Sequence, residues 1–281
     1  MATTKAVGGV VDPPSLAAAP FGLVNRLTLQ SDDARWEAGV GFESLACAGK
    51  IELWGICDDT STVVFDGAGN DRVVNAPAFG ITVVDTCTST FGSDFREKAE
   101  GRVRELLEAS TQKAVEWELR RGAVAAAATP VGRWLASPES VVVDGSGVCP
   151  RAAVALLEDA YAGCGYGGGG VLHMTPGAAT GLRGTIGEDD GVMFTETGTQ
   201  VVIGSGYVPV AVDAAPWDEN WMWVTGPTMV WLGEPNVYPE SLDQAVTLAT
   251  NDIKFKAERL AAVTFDGCCV FAVKVDLTKT C

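Results

Sequence analysis

One stretch of the chain constrains everything around it. Phe95, Ala99, Val103, Leu106, Ser110, Ala114 and Trp117 recur every three or four residues, the spacing that lines one face of an α-helix. Asp94 with Glu97 supplies an N-terminal capping signal, and Gly122 stands where the chain should leave the helix. The pattern predicts a helix over 95–121, about 40 Å long. A compact chain of 281 residues has a radius of gyration of only about 19 Å. One helix therefore crosses nearly the whole molecule, and a flattened or elongated subunit is expected.

The flanking segments read differently. Residues 1 to about 32 carry Pro13, Pro14, Pro20 and many small residues without periodicity, an extended arm that needs a surface to order it. From Arg35 to Thr90 short β-like runs alternate with turn-rich breaks: 51–54, 62–65, 72–74 and 81–84. Hairpins are predicted, with "DGAGN" (66–70) at one tip. After the long helix, "AVAAAATP" reads as a helical continuation ending at Pro130. Pro150 then opens a second helix with an apolar face of Ala153, Leu156, Leu157, Ala160 and Tyr161, ended by Gly163. "VLHM", "TQVVIGSGYVPVAV", "WMWVTGPTMVWL" and "CCVFAVKVDL" read as strands, "PGAATGL" as a short helical turn. "ESLDQAVTLAT" and "DIKFKAERLAA" read as helical stretches within 239–262. The fold class is α+β.

Charge excludes several functions. Thirty-six acidic residues against 20 basic ones give a formal charge of −16, which repels phosphate backbones and argues against sequence-specific nucleic-acid binding. It is compatible with a wall that encloses nucleic acid without adhering to it. No apolar run is long enough for a signal segment or a membrane span, so a cytoplasmic, non-inserted protein is expected. The eight cysteines, at 47, 57, 87, 149, 164, 268, 269 and 281, form no CxxC pair, and buried free thiols are expected in a chain large enough to need no staples.

No complete chemical constellation emerges. His173 is the single histidine and lies in an apolar run, so it reads as a structural residue without the partners that metal sites or acid–base pairs require. "DGSG" (144–147) is read as a turn rather than a nucleophile loop. "GCGYGGGG" (163–170) follows a helix and precedes a strand, the reverse of a dinucleotide site. Cys164 with His173 could form a thiol nucleophile pair only if the fold joined them. Trp217, Trp221, Trp223 and Trp231 crowd one region, either as core packing or as an aromatic subunit interface. The expectation is a non-enzymatic protein with no catalytic, metal or cofactor residues.

The order of these elements resembles the major capsid proteins of tailed double-stranded DNA phages, whose fold is shared with encapsulin shells. A Pro-rich arm, a β-hairpin excursion (35–90), a spine helix (95–121) and a domain opening with "AAVALLEDAYAGCG" follow one another. "GTQVVIGSGYVPV" and the closing "NDIKFKAERLAAVTFDGCCVFAVKVDL" are similar to late segments of those proteins. The resemblance implies an arm over 1–34, an extended loop over 35–92, a peripheral domain over 93–145 and 251–281, and an axial domain over 146–250. It implies self-assembly as pentamers and hexamers into an icosahedral head around double-stranded DNA, made in the host cytoplasm. Scaffolding, portal or decoration proteins would be partners. Lys50, Asn70 and Asn75 lie where some members join a loop lysine to an asparagine of another subunit. A minor head or tail protein, an encapsulin-type compartment shell and a thiol hydrolase remain as alternatives.

Overall fold

A computed structural model describes residues 16, 19–26, 36–44, 50–54, 61–66, 73–87, 95–164, 169–210, 216–238, 246–247, 252–267 and 269–281. Most of the N-terminal arm, the "DGAGN" tip beyond Asp66, Asp94 and the centre of the glycine-rich loop lie outside them.

The long helix has the bounds its periodicity predicts, Phe95–Arg121 (α2; a single turn, α1, covers Leu23–Arg26). Its buried line differs from the expected one. Ala99, Val103, Leu107, Thr111, Val115 and Leu119 face inward, while Leu106, Ser110, Ala114 and Trp117 sit half-buried at the margin. The second half packs on more than one side, so the polar Gln112, Glu116, Glu118 and Arg120 are buried too, and apolar spacing alone misplaces the stripe. The helix does not continue into the alanine run. Gly122 adopts φ +63 and a Cβ there would lie 2.3 Å from Trp134 Cγ. Glu118 Oε1 accepts the N–H groups of Val124 and Ala125 at 2.9 Å each, and only a 3-10 turn, Ala125–Ala127, follows.

α2 packs against a five-stranded sheet whose axis is β15 (Asp252–Phe265). β5 (Phe79–Cys87) runs antiparallel along β15, from Cys87 opposite Ile253 to Phe79 opposite Ala261. β12 (Thr228–Leu232), β13 (Asn236–Tyr238) and β14 (Val246–Thr247) pair with it as well. The predicted helices in this region are therefore strands where the structure describes them. In β15, Phe255, Ala257, Arg259 and Ala261 point alternately inward, and the ladders outweigh the helix propensity of its Lys, Ala, Glu and Leu residues. Two charge pairs tie α2 to this sheet: Arg259 chelates Glu108 at 3.0 and 2.7 Å, and Arg102 Nε bonds Asp85 at 2.6 Å.

A seven-stranded sheet runs in the order β6 (Val141–Val148), β16 (Phe271–Val275), β11 (Trp221–Thr225), β7 (Val171–Met174), β10 (Gln200–Ile203), β9 (Val192–Thr195), β8 (Ile186–Asp189). The β6–β16 and β7–β10 pairs are parallel. Both faces are covered. α3 (Pro150–Ala162), with the expected N1 proline and the C-cap Gly163, and the short α4 (Pro176–Thr180) bury Leu157, Leu172, Met174, Val201, Met222 and Val273 on one face. Val202, Trp221, Trp223 and Ala272 face the core shared with α2. The chain passes between the two sheets at Gly226–Pro227 and again between Asp266 and Val270. These crossings touch: a Cβ at Gly226 would fall 1.7 Å from the Asp266 carbonyl oxygen.

Two small sheets complete the fold. β1 (Val40–Glu43) pairs with β4 (Val73–Ala76), and Trp36, Ala76, Trp231 and Ala262 form a separate core beneath them. β2 (Lys50–Trp54) pairs with β3 (Ser61–Asp66) and belongs to no other sheet. "DGAGN" therefore links strands with different partners. The antiparallel pair is β2–β3, and the residues between them, 55–60, lie outside the described ones.

Candidate functional site

The structure separates the residues that could have formed a thiol site. Cys164 is disulfide-bonded to Cys269, so its sulfur is no free nucleophile. His173 is wholly buried in β7, with Nδ1 3.0 Å from the Tyr207 hydroxyl and Nε2 3.0 Å from Thr225 Oγ1. Burial pushes it down to about 3, so the ring is neutral near pH 7 and is the structural histidine its apolar run suggests. Ser146 donates its Oγ–H (2.7 Å) and its N–H (2.6 Å) to Asp144 Oδ1, a local turn inside β6, and those donors hold the Asp144 carboxyl below its usual range. Among the described residues no cluster of three metal-ligating side chains occurs and no helix is long and apolar enough to cross a membrane.

The expectation of free thiols is corrected for four cysteines. Cys149 pairs with Cys281, and Cys164 with Cys269. Separations of 132 and 105 residues leave no local spacing signal; only the packing of α3 on β16 brings the partners together. The aromatic cluster resolves as core. Trp223, Trp221 and Trp231 are buried within this one chain, and Trp217 packs edge-on against Trp221 with centroids 4.8 Å apart. Lys50 lies in β2 opposite Asp66 and Asn75 in β4 opposite Gly41, in different sheets; Asn70 lies outside the described residues.

A polar junction instead joins residues 16–26, α2 and the turn after β10 of the seven-stranded sheet. Glu116, fully buried on α2, accepts the Leu23 N–H at 3.1 Å through Oε1 and the Gly206 N–H at 2.9 Å through Oε2. Burial raises its carboxyl to about 7, against the lowering effect of the N–H groups of Gly206, Leu23 and Ser205. Glycine makes the approach possible. A Cβ would lie 2.4 Å from the Glu116 carboxyl carbon at Gly204, 2.6 Å from the Lys113 carbonyl at Gly206, and 1.8 Å from Gln112 Nε2 at Gly22. One turn along, Arg120 Nη2 donates to the Trp217 carbonyl at 2.6 Å and Nη1 to that of Val208 at 3.4 Å. The arm is held further by Gln112 Nε2 to the Ala19 carbonyl (3.1 Å) and by the Leu16 N–H to Glu105 Oε1 (2.6 Å). This junction was missed in the sequence; its signal is "GSG" at 204–206, two glycines where a strand should continue.

Several surfaces remain unburied in a single chain. β6 is an edge strand whose Val141, Val142 and Val143 are 51%, 43% and 37% exposed. Apolar residues exposed side by side on an unpaired edge are what soluble monomers avoid.

No family model matches the sequence, and no curated protein matches it. Solved structures match over nearly the full length. One from Mycobacterium phage Cain is 12% identical with a TM-score of 0.53, covering 97% of this chain and 96% of that one. The capsid of an empty GTA particle is 10% identical with a TM-score of 0.52, covering 98% and 94%; that of the native particle is 13% identical at 0.51, covering 98% and 99%. The chain shares the fold of these structures over nearly its full length.

Proposed function

We propose that this protein is a structural shell subunit of the phage major capsid type, which self-assembles as pentamers and hexamers into an icosahedral head around double-stranded DNA. The observation that carries the reading is the fold shared end to end with capsid subunits, at coverage above nine-tenths of both chains. A fold alone does not fix function. Here the physical argument agrees, because the β2–β3 hairpin, the bare β6 edge and a 27-residue helix leave surface that symmetric neighbours can cover.

In this reading 1–34 is the arm and 35–92 the extended loop over a neighbouring subunit. α2 with the five-stranded sheet forms the peripheral part, and the seven-stranded sheet with α3 the axial part. Compared with the intervals suggested by sequence, β12–β14 move to the peripheral part and β6 and β16 to the axial part. The charge of −16 keeps the shell from adhering to its contents. The subunit acts through geometry rather than catalysis. Host-cytoplasmic assembly, and scaffolding, portal or decoration partners, belong to the same proposal.

Light scattering with negative-stain microscopy of the purified protein tests it. Megadalton shells, or pentamers and hexamers in equilibrium, support the reading. A persistent 29 kDa monomer, also in the presence of phage-head lysate, overturns it.

A further inference from the structure

Two disulfides among the described residues fasten one helix to one strand. Cys149 is the N-cap of α3 and is bridged to Cys281, with Cα atoms 5.6 Å apart. Cys164 follows the C-cap Gly163 and is bridged to Cys269, with Cα atoms 6.4 Å apart. Between Cys269 and Cys281 lies β16, on which α3 packs through Ala153 and Leu157 against Val273 and Val275. A bridge thus sits at each end of the α3–β16 contact. The backbone from 149 to 164, the bridge to 269, the backbone to 281 and the bridge back to 149 form a closed covalent ring.

The ring adds to a contact that is complete without it. The buried side chains between α3 and β16 are apolar, and the cysteines stand at the margins: Cys149, Cys164 and Cys269 are half-buried and Cys281 is exposed. The tail they secure has few other anchors. Leu277–Cys281 is exposed. The Asp276 N–H donates to the Val148 carbonyl at 2.8 Å, and Lys279 Nζ to that of Gly147 at 2.5 Å. Marginal, accessible bridges over a finished core exchange with small thiols more readily than buried ones.

We propose that these bridges are a redox lock: the subunit folds with Cys149, Cys164, Cys269 and Cys281 as free thiols, and their oxidation closes the α3–β16 ring and pins the chain end. The oxidant is a small-molecule disulfide such as glutathione disulfide. In each bridge one cysteine thiolate attacks it, releasing one glutathione thiolate and leaving a mixed disulfide. The second cysteine thiolate then displaces the other glutathione. Each bridge consumes one glutathione disulfide and yields two glutathione molecules, the two protons passing from the cysteines to them. The Cys149–Cys281 bridge, whose Cys281 is exposed, exchanges first, so reduction releases the tail before the far end of α3. That closure follows assembly, when the particle leaves a reducing compartment, rests on the shell reading; the chemistry of the lock does not.

The full chain is purified under reductant and divided, and one half is exposed to glutathione disulfide. Free thiols in both are alkylated in the native state and read peptide by peptide. Cys149, Cys164, Cys269 and Cys281 should be alkylated in the reduced half and recovered as two linked peptide pairs in the other. Oxidation should raise the thermal midpoint by about 5 °C or more, and reductant should reverse it. Cys281→Ser should lose part of that rise and Cys269→Ser/Cys281→Ser all of it, with reduced-state midpoints unchanged. Four cysteines still alkylated after oxidation of folded protein, or equal midpoints in both states, overturn the lock. Particle mass measured on the same samples judges the shell reading separately: protected cysteines in a lasting monomer sink the shell and leave the lock.

Discussion

The Glu116 carboxylate accepts the Gly206 N–H at 2.9 Å from a position in which residue 206 has room for no side chain. A Cβ there would meet Glu116 Cβ at 2.5 Å and the backbone of Lys113 and Trp117 at 2.6 Å, none of which is the far end of a flexible side chain. Gly206→Ala should therefore push the seven-stranded sheet off the spine helix and cost about 2–3 kcal/mol, the scale of overpacking a filled core. Gly187, in β8, has nothing within 4 Å of its hypothetical Cβ, and Gly187→Ala should change stability by less than about 0.5 kcal/mol. Urea denaturation midpoints of the two variants check both values; equal midpoints would show that the junction is not tightly packed.

Two buried groups give stability opposing pH dependences. Glu116 is raised from 4.5 to about 7, so its folded form holds the proton more tightly than the unfolded one. Its contribution is fully present below about pH 4.5 and is lost as pH rises through 7. His173 is lowered from 6.5 to about 3, so its contribution is present above pH 6.5 and is lost as pH falls toward 3. Between pH 6.5 and 4.5 the two trends cancel in part. Glu116→Gln removes one trend and should leave stability falling more steeply on acidification. His173→Asn should leave it rising. Denaturant midpoints across pH 4.5–7.5 separate the variants, and parallel profiles would discard the assignment.

How far the sequence reaches is visible in particular residues. α2 and α3 were legible to the residue because caps and period agree: Gly122 and Gly163 end them, and Pro150 starts α3. β15 was not. "DIKFKAERLAA" is built of good helix formers, yet Lys254, Phe255, Lys256, Ala257 and Glu258 also alternate polar and apolar, and pairing with β5 and β12 decides for the strand. The apolar run around His173 identifies a structural histidine, whereas the crowded tryptophans fit either core or subunit interface in the sequence, and only the burial of Trp221, Trp223 and Trp231 decides for core. Glu116 and the four bridged cysteines were illegible for a common reason. Each depends on contacts tens of residues away in sequence, and no local period encodes them.

The carbonyls above the spine helix offer a further test. Arg120, buried on α2, spans to the Val208 and Trp217 carbonyls on the segments around β11, with its guanidinium carbon 6.0 Å from the Trp223 ring centroid. Arg120→Met keeps most of the volume and leaves both carbonyls, one on half-buried Trp217 and one on exposed Val208, without the guanidinium. An acceptor shielded from water that loses its donor costs about 1–3 kcal/mol, and water can replace the donor on the Val208 side, so this variant should lose roughly 1–3 kcal/mol in all. Arg120→Lys should recover little, since one ammonium cannot reproduce the fork that serves two carbonyls. Calorimetric midpoints would show Lys and Met clustering together well below the parent; a fully stable lysine variant would mean that charge, rather than fork geometry, matters at this position.

The buried stripe of α2 is the most direct check of the spine helix itself. Leu107 is 0% exposed and belongs to the main core with Val103, Phe255 and Ala257, whereas Leu106, which the apolar period of the sequence selects, is only half-buried. Truncating a fully buried leucine costs about 2–5 kcal/mol because the cavity collapses only partly, so Leu107→Ala should fall in that range. At Leu106 the truncated side chain is partly replaced by water and the cost should stay near about 1 kcal/mol. Measured side by side by urea denaturation, the two alanine variants should differ by a factor of two or more in lost stability. If Leu106→Ala proved the costlier one in the isolated subunit, the helix would be rotated from the position described. If its excess cost appeared only in assembled particles, the margin of α2 would be a surface covered by a neighbouring subunit.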